Sequence, residues 1–166
     1  MATESLKSTV ITNRDATPVV LSNASLANAR LHEAIGSVTI TSGKTTGSKY
    51  TLAQVPSNCR VSQLLVSCPA LSASSAADFG VYRSTADGGA VVSAALFGSA
   101  IDLSSALSNL DITNESTNYT LDKQEQPLWQ AAGLSVDPGG VLDIVATTTA
   151  TNAAGGLLGI KIRFVM

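Results

Sequence analysis

Charge is what this sequence has least of. Lys, Arg, Asp and Glu make up 13% of its 166 residues, against about 25% in an average soluble domain. Ten basic and twelve acidic residues leave a net charge of -2, with no basic cluster to neutralise phosphates, which argues against a nucleic-acid partner. Histidine occurs once, at His32, so a Ser-His-Asp or Cys-His relay has to pass through that residue, and no nucleophile elbow accompanies it. Two cysteines and one histidine cannot complete a zinc tetrad, and there is no CxxC pair. Neither an enzyme activity nor a cofactor nor a metal is expected.

Long apolar runs are missing too. Gly88 to Ile101 is the most apolar stretch, but it is shorter than the ~18 residues of a membrane span and contains Ser93 and Ser99. Met1 to Lys7 has no apolar h-region, so neither a secretion signal nor a membrane span is expected. A chain made in the cytosol keeps Cys59 and Cys68 reduced, as structural thiols, and leaves the sequons at Asn23, Asn114 and Asn118 without meaning.

What replaces charge is Ser, Thr, Ala and Gly, while 45% of the chain is hydrophobic. The resulting surface is hydroxyl-rich, and it suits lasting contact with neighbours because little charge has to be desolvated. A homo-oligomer, dimer or trimer, is the expectation.

Residues 1–34 read as an extended arm. Single apolar residues are scattered among Ser, Thr and Asn, and only Thr17–Leu21 looks extended, with Pro18 turning Thr17 away from helix. A helical turn capped by Ser25 could run toward Glu33. Val10, Ile11, Val19, Val20 and Leu21 are the candidate partner-contact residues, too dispersed to form a core yet apolar enough to dock in a groove or extend a sheet edge.

From residue 35 the strand period takes over. Ser37–Thr41 and Lys49–Gln54 flank a Gly-containing loop and suggest a hairpin. Arg60–Ser67 and Asp78–Arg83 follow as strands, Gly80 marking a bulge or a close backbone approach. Ala90–Val92 and Leu96–Leu103 are harder to assign, whereas Val141–Thr149 and Leu157–Val165 are clear. In the last of these Lys161 and Arg163 face opposite to Ile160, Ile162 and Phe164. Pro127–Ala132 predicts a short helix ended by a left-handed Gly133. About eight strands and one short helix predict an all-β sandwich or jelly roll over residues 35–166.

Candidate chemistry is sparse. Gly43-Lys44-Thr45 looks like the end of a phosphate loop, but Gly36 does not fit the required spacing. Asp78, Asp87, Asp102, Asp111, Asp122, Asp137 and Asp143 could supply a glycosidase carboxylate pair, yet most sit where turn hydrogen bonding suffices. Trp129 reads as the anchor of its short helix rather than a sugar platform.

Tyr50–Val61, Ala77–Arg83 with Asp87–Val92, Pro127–Leu134 and Asp137–Val145 together resemble the small jelly-roll cement or decoration proteins of tailed-bacteriophage capsids. The resemblance covers about residues 35–166 and follows a Ser/Thr-rich leader. It implies a structural protein, made in the host cytoplasm and carried on the outer surface of the virion, that binds the phage major capsid protein and bridges neighbouring subunits of the assembled shell. The alternative is a carbohydrate-binding jelly-roll module of a phage fibre or baseplate.

Overall fold

A computed structural model describes residues 5–21, 24 and 29–166. It divides into two units, Met1–Arg30 and Leu31–Met166, each considered by itself.

The N-terminal unit contains a helix, α1 (Thr9–Asp15), where scattered polarity predicts irregular chain. Local chemistry outweighs the weak propensity of its β-branched residues. Ser8 caps it by accepting the Ile11 N–H, and Lys7 and Arg14 both pair with Asp15, at 2.9 and 2.8 Å. These cations hold the exposed Asp15 carboxyl below its ordinary range. The chain then folds back, the Val20 N–H donating to the Asn13 carbonyl at 3.1 Å.

Leu31–Met166 holds eight strands: β1 (Leu31–Ile40), β2 (Lys49–Pro56), β3 (Arg60–Cys68), β4 (Ala76–Arg83), β5 (Val91–Asp102), β6 (Leu107–Asp111), β7 (Val141–Thr148) and β8 (Gly156–Val165). They form two four-stranded antiparallel sheets, ordered β1-β8-β3-β6 and β2-β7-β4-β5. The pairs β1·β8, β2·β7, β3·β6 and β4·β5 are nested like the two arms of one long hairpin, rolled so that β3·β8 and β4·β7 complete the sheets. This is an all-β jelly-roll sandwich. Alternation along each strand fills the interior, where Leu64, Val66, Phe79, Phe97, Ile144, Leu158 and Ile162 are buried. As the alternation predicts, Ile160, Ile162 and Phe164 point inward.

Several expectations need correction. Leu31–Ala34, read as the end of the arm, lie in β1. Leu31–Glu33 are therefore strand rather than helical turn, and residues 25–28 of that turn lie outside the described residues. The backbone pairing of Leu31–Ala34 with Ile162–Val165 decides this. β1 and β2 are not a hairpin, since they belong to opposite sheets. The chain changes sheet through residues 41–48, and at Gly36 the backbones meet so closely that a Cβ would lie 1.6 Å from the Leu52 carbonyl oxygen. The two separate segments Ala90–Val92 and Leu96–Leu103 merge into one bulged strand, β5 (Val91–Asp102), which leaves out Ala90 and Leu103. β6 carries no strand period in the sequence, because its five residues include Ser108 and Asn109 and lie mostly exposed at an edge.

Gly80 does mark a close approach: a Cβ there would come within 2.1 Å of the Ser93 carbonyl oxygen on the β5 bulge. α2 (Leu128–Ala131) follows Pro127 and ends at a left-handed Gly133, with the Leu134 N–H donating to the Trp129 carbonyl and the Gly133 N–H to that of Gln130. That is the paired cap a C-terminal glycine permits.

Residues 112–140 connect β6 to β7 and are anchored rather than loose. The Leu128 and Trp129 N–H groups donate to the carbonyls of Cys59 and Ser57, and the Ser57 hydroxyl donates to Asp137 at 2.6 Å. Tyr119 is buried edge-on against Phe97, its hydroxyl donating to the Val61 carbonyl at 2.8 Å. A polar loop is thereby held on the apolar end of the sandwich.

Candidate interaction surface

The predicted contact residues fall in two short segments, the second brought back to α1 by the Val20 N–H bond to the Asn13 carbonyl. Val10 and Ile11 lie half-buried on α1, whereas Val19, Val20 and Leu21 are exposed beyond it, Leu21 at 90%.

A surface that the sequence reading missed lies on the outer face of the β1-β8-β3-β6 sheet. Strand alternation points Leu31, Glu33, Ile35, Ser37 and Thr39 of β1 outward, beside Leu157, Lys161 and Arg163 of β8 and Leu65 and Ser67 of β3. Leu31 and Ile35 are 60% and 71% exposed. A hollow of about 150 Å³ opens between Ile35, Leu65 and Lys161 on one side and Ser37, Ser67 and Gly159 on the other. The small residues let the floor sink, and the aliphatic stems form its wall.

One row of this face is polar and continuous. Arg163 donates to Glu33 and to Gln63, each at 2.9 Å, Gln63 donates to Asp111 at 2.8 Å, and Thr113 donates to Asp111 from both its hydroxyl and its N–H. Side chains therefore stitch all four strands together. Burial pushes the Asp111 carboxyl up, but the hydrogen bonds from Thr113 and Gln63 outweigh it and hold the group below its ordinary range. Glu33, Arg163 and Asp111 are tied up within this face, while Lys161 stands at the wall of its hollow.

A second hollow, of about 660 Å³, lies within residues 114–122, with Leu121 at its exposed lip and Glu115 and Asp122 among its walls. Asn114 donates to the Tyr119 carbonyl within the segment, and Asn118 ties it to β5 through the Ala95 carbonyl.

The residues considered for chemistry are dispersed. His32 sits in β1 opposite Phe164 and stacks on its ring at 5.6 Å. Cys59 and Cys68 are free and buried, and desolvation pushes the Cys59 thiol up to about 12 and Cys68 in the same direction. Asp78, Asp87, Asp102, Asp122 and Asp137 each bond a neighbouring backbone or side-chain group. Asp143 is buried beside Tyr82, and desolvation raises its carboxyl. No cluster of three or more His, Cys, Asp or Glu suited to a metal occurs among the described residues. No helix among them is long and apolar enough to cross a membrane. All seven aromatic side chains are buried or half-buried, Trp129 packing against the core.

One chain of a solved structure, the cyanophage Pam1 capsid asymmetric unit, matches with a TM-score of 0.50 and 16% identity, over 83% of this chain and 86% of that one. The two share a fold. No family model and no curated protein matches the sequence.

Proposed function

We propose that the chain is a structural virion protein that binds the outside of an assembled phage capsid and bridges neighbouring major capsid subunits. The observation that carries this reading is the jelly roll shared nearly end to end with a chain of a phage capsid asymmetric unit. The outer face of the β1-β8-β3-β6 sheet supports it, because hydroxyls, small residues and aliphatic side chains can be desolvated at little cost. Bridging would stabilise a shell by mass action, since a protein that binds only the assembled state shifts the equilibrium away from its parts. The burial of the aromatics favours this reading over a glycan-binding module, which needs exposed rings for stacking.

The test is reconstitution. Purified chain is added to capsids of its own phage that lack it, and in parallel to a glycan array. Saturable capsid binding with increased particle heat resistance is expected. Deleting residues 1–15 should leave the sandwich folded and weaken attachment. No capsid binding by the full chain, or selective glycan binding, overturns the reading, and unchanged occupancy in the deletion removes the arm from it.

A further inference from the structure

The sandwich has four edge strands, and three of them carry features that discourage a further strand from pairing. β2 has a bulge at Leu52 and ends at Pro56. β5 has three register shifts and a left-handed Ala100. β6 is five residues long, with a register shift opposite and a left-handed Asn109. β1 differs. Its ten residues run against β8 without a shift and contain neither proline nor bulge. Its inner face meets β2 of the opposite sheet at Gly36, and Leu31–Ile35 have no hydrogen-bonded neighbour other than β8 among the described residues.

The burial pattern points the same way. Leu158, Ile160, Ile162 and Phe164 of β8 are buried, as are Val61, Leu64 and Val66 of β3. Of the inward-facing residues of β1, Ile40 at the end of the strand is buried, but His32, Ala34, Gly36 and Val38 are only half-buried, so the core has less cover along the rest of this edge.

We infer that Leu31–Ile35 pairs antiparallel with the same segment of a second copy, about a two-fold axis at Glu33, to make one continuous eight-stranded sheet. The segment is self-complementary in this register. Leu31 falls opposite Ile35 of the other copy and Ile35 opposite Leu31, so both exposed aliphatic residues gain an apolar cross-strand partner on the outer face. His32 and Ala34 meet on the inner face, covering the half-exposed rim. The two Glu33 carboxylates face each other, but each already accepts a hydrogen bond from its own Arg163, so the axis carries two cations and two anions. A five-residue edge falls well short of the ~1,200 Å² of a stable interface, so pairing is weak in dilute solution and favoured where copies are held close together. The inference does not depend on the virion reading, because the purified chain alone tests it.

Symmetry supplies a sharp experiment. Residues opposite each other across antiparallel strands have Cα atoms about 4.5–5.5 Å apart, within disulfide reach, and only a residue on the axis meets its own copy. Full-length Glu33→Cys should therefore oxidise to a covalent dimer on a non-reducing gel. Thr39→Cys, on the same strand and face but beyond Gly36, should not. Buried Cys59 and Cys68 do not compete. Adding Leu31→Lys and Ile35→Lys to Glu33→Cys should abolish the dimer while circular dichroism and melting remain unchanged, both sites being exposed. Absence of a Glu33→Cys dimer at millimolar chain, equal cross-linking at 33 and 39, or survival of the dimer in the double-lysine variant overturns the proposal.

Discussion

Replacing Gly80 with alanine adds one methyl group where the structure has no room for it. The new Cβ would lie 2.1 Å from the Ser93 carbonyl oxygen and 2.2 Å from that of Ala94, against about 3.4 Å for ordinary contact. Both obstacles are backbone, so the β5 bulge would have to withdraw from β4 by about 1 Å, weakening the pairs on either side at Phe79·Gly98 and Val81·Ser93. Overpacking of this kind costs roughly 3 kcal/mol. With an unfolding entropy near 2.1 cal/mol/K per residue, Leu31–Met166 loses about 10 °C of melting temperature. Gly88→Ala is the control, because Gly88 has φ 81° and nothing within 4 Å of an added methyl, so it carries only the left-handed strain of about 1 kcal/mol. Thermal melts followed by far-ultraviolet circular dichroism compare the two. A Gly80→Ala variant that melts no lower than Gly88→Ala would falsify the reasoning.

Two further predictions concern the buried interior. Cys59 has its thiol raised to about 12 in the folded chain, against about 8.5 unfolded. The unfolded state releases that proton first, so the thiol's contribution to stability is complete below about pH 8.5 and is lost as pH rises toward 12, by at most about 1.4 kcal/mol per pH unit. Urea midpoints at pH 8 and pH 10 should fall further apart in the wild type than in Cys59→Ala, and equal separations would refute this. Tyr119→Phe removes the hydroxyl that donates to the Val61 carbonyl and should cost about 1 kcal/mol in urea unfolding with native circular dichroism; an unchanged midpoint would show that the bond adds nothing.

Much of the sandwich is legible in the sequence because its central strands carry their own pattern. β7 is β-branched and apolar, β8 alternates without a break, and Gly133 and Gly80 sit where a left-handed cap and a backbone crossing require them. Elements stabilised by local polar pairing escape the period: α1 rests on the Ser8 cap and on Lys7 and Arg14 against Asp15, and β6 on the bond its Asn109 N–H donates to the Ser67 hydroxyl and the one its Asp111 accepts from Gln63. The outer-face surface was hidden for a different reason. Ile35 and Leu157 look like core residues in one dimension, and only the sheet order shows that nothing in Leu31–Met166 covers them. Apolar residues on two sides of a strand imply a second cover, but sequence alone does not say whether that cover belongs to the same chain.

The nested pairing also orders events in time. β1 depends for its hydrogen-bonded partner on β8, and β2 on β7, so during synthesis the first two strands of the sandwich wait for its last two. Throughout that interval their backbone edges are open and their apolar faces uncovered, a state exposed to aggregation in which folding is slowed by the distance along the chain between partners. Only β4 and β5 can pair with a strand made immediately next to them. Their hairpin closes the shortest loop of any pair in the roll, and β1 with β8 the longest.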